Sequence, residues 1–102
     1  MINVNLTDTI PLMQSDSYRE RFVAEYWQTR IRYEKLRKFN RRIEAAVRTK
    51  CSEESVRVEM PPHDCPDILL VDQEDTMLRY LNLLEQRAVI ERIDLNIAPK
   101  KA

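Results

Sequence analysis

No glycine occurs among the 102 residues, and there is one histidine, one tryptophan and two cysteines. The missing glycine excludes G-x-G-x-x-G turns, phosphate-cradling P-loops and nucleophile elbows, because each needs a backbone that only glycine tolerates. A single histidine excludes H-E-x-x-H and His-rich metal centres. Long apolar runs are missing too. The longest, Ile68-Leu69-Leu70-Val71, is far short of the roughly 20 residues a membrane span needs, so no membrane partner is expected. Two cysteines without a leader segment argue for a reducing cytoplasm rather than a disulfide framework, and the expected location is cytoplasmic.

Charge is plentiful and balanced, with 17 Lys+Arg against 17 Asp+Glu. At 33% charged and 43% apolar, the composition suits an all-α protein with long solvated faces. A chain of this length buries little of its surface alone, so assembly into a dimer or higher helical bundle is expected.

Residues 1–14 read as an extended arm. Ile2, Val4 and Leu6 alternate with polar residues, and Pro11 disfavours helix. Val56, Val58 and Met60 offer the only other alternating run with which a strand could pair. A helical hairpin domain follows over 15–95, with helices at about 16–50 and 66–93 and a flexible tail over 96–102. Ser17 and Glu20 form a capping-box pattern, and nothing breaks the helix before Lys50. Phe22, Tyr26, Thr29, Tyr33, Leu36, Asn40, Ile43 and Val47 repeat with the spacing of a coiled-coil seam, on a rod of about 50 Å. The connection carries Ser52, Ser55, Pro61 and Pro62. Asp64 or Cys65 caps the second helix, Pro66 sits in its first turn, and Leu70, Met77, Leu81, Leu84 and Ala88 share one face. Leu69, Tyr80, Leu83 and Ile90 widen that face.

The charges segregate by helix. Residues 15–50 hold 11 basic and 5 acidic side chains, and residues 64–95 hold 3 basic and 8 acidic. The expected consequence is an antiparallel hairpin whose flanks neutralise each other. The sharper alternative leaves part of the basic helix uncovered for an anion. Arg30, Arg37 and Arg41 fall on one side at i, i+7 and i+11, with Lys38 and Arg42 beside them. Arginine forks hold phosphate oxygens bidentately, and Trp27 and Tyr33 could stack on a base.

Other constellations carry less. Cys51, His63 and Cys65 are three possible metal ligands without a fourth, so no metal or cofactor is expected, and two ordinary thiols beside a loop histidine that caps or packs at the start of the second helix explain them better. Catalysis would rest on His63 alone, and Glu74 and Asp75 suit the helix dipole, so the protein is expected not to be an enzyme. Asn40 in the apolar seam either meets a paired polar group and fixes register or oligomer state, or reaches solvent at a splayed end. Tyr26, Leu36, Asn40, Ile43, Leu69, Tyr80 and Leu83 are the candidate interface for a second copy or a foreign protein.

The stretches Asn5-Leu6-Thr7-Asp8-Thr9-Ile10-Pro11-Leu12-Met13, Arg21-Phe22-Val23-Ala24-Glu25-Tyr26-Trp27 and His63-Asp64-Cys65-Pro66 carry a resemblance. With Gln73, Met77, Tyr80-Leu81, Leu84-Glu85, Arg87-Ala88 and Ile90-Glu91, they resemble small proteins common in phages and prophages, a family named after a crAss-like phage gene product. The resemblance covers most of residues 3–95 and implies a phage accessory protein without catalytic residues to transfer. Such proteins antagonise host immunity by occluding a defence protein or by sequestering a nucleotide signal. Three readings follow: a stoichiometric binder of a host defence protein, an oligomeric sponge for a phosphate-bearing nucleotide, and a nucleic-acid binder, against which the neutral net charge argues.

Overall fold

A computed structural model describes residues 4–53 and 56–97. Ile2, Ser55 and the tail over 98–102 lie outside the described residues. A 3-10 helix at Leu6–Thr9 runs into α1 (Ile10–Met13), and two long helices follow, α2 (Tyr18–Thr49) and α3 (Asp67–Glu91). The described residues hold no strand, so the alternating runs around Val4 and Val58 do not pair.

The N-terminal arm is helical where an extended segment was expected. The Asn5 N–H donates to the Asp8 carboxylate at 2.9 Å, and the Asp8 N–H donates to the Asn5 carbonyl at 3.0 Å. Pro11 stands in the first turn of α1, where the lost N–H has no helical acceptor to miss. Thr9 is buried, and Gln28 of α2 donates to its hydroxyl at 3.0 Å.

Helix α2 starts where its caps dictate. The Ser17 hydroxyl accepts from the Glu20 N–H, while the Glu20 carboxylate accepts from the Ser15 hydroxyl rather than closing a capping box. Pro66 precedes α3 without a side-chain cap, so neither Asp64 nor Cys65 serves as one. The two helices run antiparallel, as three cross-links show. Tyr18 donates to Glu91 at 2.7 Å, Tyr26 donates to Glu85 at 2.6 Å, and Asn40 donates to Glu74 at 2.9 Å.

The core lies toward one end of this hairpin. Phe22, Val23, Tyr26 and Trp27 pack with Leu81, Leu84, Ala88 and Ile93. Val4 and Leu12 close it from the N-terminal segment, and Leu95 and Ile97 from the C-terminal one. The chain turns back after α3 through Arg92, whose φ of 56° is left-handed. No glycine is available for that position, so an arginine bears the strain. The Ile93 N–H donates to the Ala88 carbonyl at 2.9 Å, and Arg19 donates to the Arg92 carbonyl at 2.8 Å. This closure carries Ile93 and Leu95 onto Trp27, whose indole N–H donates to the Leu95 carbonyl. Towards the connection the seam opens, and Val47 is 51% exposed.

Candidate functional site

The N-terminal half of α2 is enclosed by α1, α3 and the tail, whereas the C-terminal half keeps contact with α3 through Asn40. Along it Arg32, Lys35, Arg37, Lys38, Arg41, Arg42 and Arg48 are all exposed. At 100° per residue, Arg30, Arg37, Arg41 and Arg48 fall on one edge of the helix. That edge borders α3, and two grooves open along it. One of about 200 Å³ is lined by Tyr26, Arg30, Tyr33 and Glu34 from α2 and by Leu78, Leu81, Asn82 and Glu85 from α3. The other, about 370 Å³, is lined by Asn40, Ile43, Glu44, Val47 and Arg48 against Asp67 and Val71.

The flanks do not neutralise each other as expected. All four ion pairs among the described residues are local: Arg30–Glu34, Arg41–Glu44, His63–Asp67 and Arg87–Glu91. None joins a base on α2 to an acid on α3. Arg37, Lys38, Arg42 and Arg48 have no carboxylate within ion-pair distance among the described residues. The physical reason is one of facing. Glu74 is buried against Asn40, Glu85 is taken up by the Tyr26 hydroxyl at the groove, and Asp72 lies on an outward groove of α3.

The residues expected to hold an anion therefore separate into two groups. Arg37, Lys38, Arg41 and Arg42 are exposed on the basic stretch. Arg30 is tethered: it donates to the Tyr26 hydroxyl at 3.3 Å, pairs with Glu34 at 3.4 Å and lies 4.8 Å from the Trp27 ring centroid. Trp27 is 6% exposed and covered by its own tail and by Arg30, so it offers no face for stacking on a base. Tyr33 is half-buried at the wall of the smaller groove. Tyr26, at the floor, has its phenol pushed up to about 12 by burial and by the hydrogen bond it donates to Glu85. It is a neutral donor at any physiological pH.

The expected interface residues divide similarly. Tyr26, Asn40 and Ile43 are buried inside the hairpin and Leu36 is half-buried, whereas Leu69, Tyr80 and Leu83 are exposed on α3. Glu74 does not serve the dipole. It is buried as the partner of Asn40. His63 donates from Nδ1 to the Pro61 carbonyl at 2.7 Å, sits 2.8 Å from Asp67 through Nε2, and packs edge-on against Phe39. Cys51 and Cys65 are exposed free thiols, and no three His, Cys, Asp or Glu residues converge among the described residues. No helix among them is long and apolar enough to cross a membrane.

Sequence reasoning missed the groove residues Leu78, Asn82 and Glu85. Their spacing on one face of α3 was a signal, but only the docking of α3 on α2 makes them a wall. Comparison with known proteins gives one positive result: a family model described as Sequestin matches residues 16–90, which spans both long helices. No curated protein and no solved structure matches the chain.

Proposed function

The chain belongs to the Sequestin family, and from that membership we propose that it sequesters a phosphate-bearing nucleotide, held along the Arg30–Arg37–Arg41 edge and released unaltered. One observation carries this reading. The acids of α3 reach no base of α2, although the two helices lie side by side: Arg30 and Arg41 pair only with Glu34 and Glu44 of their own helix, and Arg37 and Arg48 with no carboxylate among the described residues. Guanidinium groups without carboxylate partners keep their forks for phosphate oxygens. Tyr33 and the Tyr26 phenol, at the wall and floor of the adjoining groove, suit a ribose or base.

Binding without turnover fits the side chains along this edge. The only histidine is held by Pro61 and Asp67, and it lines neither groove on this edge. The family name, sequestration and the phage resemblance of the sequence combine into one role: a phage protein that withdraws a nucleotide immune signal from its host by stoichiometry. A second reading, capture of a host defence protein, rests on the exposed Leu69, Tyr80 and Leu83. It ranks lower because Tyr26, Asn40 and Ile43, the rest of that surface, are used inside the hairpin.

Calorimetric titration with cyclic nucleotides and NAD-derived nucleotides tests the proposal. Saturable binding that disappears in Arg37→Glu and Arg41→Glu supports it. Silence across the panel, or binding indifferent to both substitutions, removes it.

A further inference from the structure

The outer face of α3 has a pattern that the hairpin touches at two positions, where Tyr80 donates to Glu25 and Arg87 donates to Tyr18 of α2. Leu69, Thr76, Leu83 and Ile90 recur every seven residues, with Gln73, Tyr80 and Arg87 at the intermediate steps of a second coiled-coil seam. The two ends of this seam differ in shape. Between Leu69 and Tyr80 runs a groove of about 590 Å³ whose lining includes Asp72, Gln73 and Thr76. Beyond it, Leu83 and Ile90 stand out, 53% and 78% exposed. The ends also differ in charge. Asp67, Asp72, Glu74 and Asp75 give the first half of α3 only acids, and its only bases, Arg79 and Arg87, lie in the second.

We propose that two copies of this chain pair through the outer faces of α3, antiparallel about a two-fold axis beside Arg79 and Tyr80. That register sets Leu69 opposite the partner's Ile90, Thr76 opposite the partner's Leu83, and Asp72 opposite the partner's Arg87. The ridge of one copy enters the groove of the other, twice, as an isologous contact requires. A parallel pair would instead bring Asp72 against its own copy and groove against groove, which like-charge repulsion disfavours. The seam from Leu69 to Ile90 is about 31 Å long at 1.5 Å per residue. Arg87 is already braced for the role, with Glu91 at 3.1 Å and the Phe22 ring centroid at 5.0 Å. The Arg30–Arg37–Arg41 edge borders the opposite flank of α3, near Val71 and Leu78, so pairing leaves it open.

Light scattering on the full chain should give at least twice its 12.2 kDa mass. Leu83→Glu and Ile90→Glu together should halve that mass without loss of helical circular dichroism, since both side chains are exposed. In a Cys51→Ser, Cys65→Ser background, chains bearing Thr76→Cys should cross-link to chains bearing Leu83→Cys under mild oxidation, while neither cross-links to itself. A mass of one chain, an unchanged mass in the double Glu variant, or self-cross-linking of Thr76→Cys overturns the proposal. None of these outcomes depends on nucleotide binding.

Discussion

The Asn40 amide donates to the Glu74 carboxylate at 2.9 Å and to the Leu70 carbonyl at 3.2 Å, and both side chains are buried between α2 and α3. A buried carboxylate tolerates its position only while hydrogen-bonded, so this pair fixes how the helices slide against each other. Asn40→Ala leaves Glu74 without its donor and should cost about 2–3 kcal/mol in urea unfolding. Asn40→Leu combined with Glu74→Met should recover most of that loss, because a buried polar pair is replaceable by apolar groups of similar volume. A double variant as unstable as the single one contradicts the assignment.

Arg92 occupies the left-handed region with φ 56°. Arg92→Gly removes the Cβ clash while keeping the carbonyl that accepts from Arg19, and should stabilise by about 1 kcal/mol. For a domain of this size that is about 4–8 °C in melting temperature. A lower melting temperature would show that the closure is not strained.

His63 is held above its ordinary pKa of 6.5 by the bond from Nδ1 to the Pro61 carbonyl, then by Asp67. Only the imidazolium donates to both partners at once. The folded pKa exceeds the unfolded one, so the stabilisation is complete below pH 6.5 and is lost as pH rises through the folded value. Melting temperatures of wild type and His63→Gln should therefore differ most in acid and converge as pH rises through the folded value. A gap that widens with pH contradicts this.

Trp27→Phe keeps the buried ring but deletes the donor to the Leu95 carbonyl. It should cost about 1–2 kcal/mol and raise hydrogen exchange over Ile93–Leu95. Nucleotide affinity should stay within about twofold, because the indole is covered. A loss of tenfold or more would return Trp27 to the site.

Much of the fold was legible because local signals and periodicity agreed. The Ser17 cap, the Phe22–Ile43 seam and Asn40's place in it all follow from spacing. The N-terminal segment departs from its extended pattern because the Asn5–Asp8 start places Pro11 in a first turn, where a proline does not break a helix. The tail's return onto Trp27 was invisible, since it depends on an arginine taking a conformation usually reserved for glycine. Net charge per helix pointed to mutual neutralisation, but sums ignore facing, and the acids turn elsewhere. For the same reason the Arg30–Arg37–Arg41 alignment could be read from sequence, and the absence of any α3 acid paired with it could not.

The central claim is withdrawal of a nucleotide by stoichiometric binding. Its most direct measurement is the free ligand remaining when a nucleotide that binds in calorimetry is mixed with increasing protein, followed by mass spectrometry of what heat denaturation releases. Free ligand should fall in proportion to protein added and return chemically intact on heating, with no depletion by Arg37→Glu at matched concentration. A free pool unchanged at equimolar protein, or ligand consumed by a small fraction of its amount of protein, would contradict it.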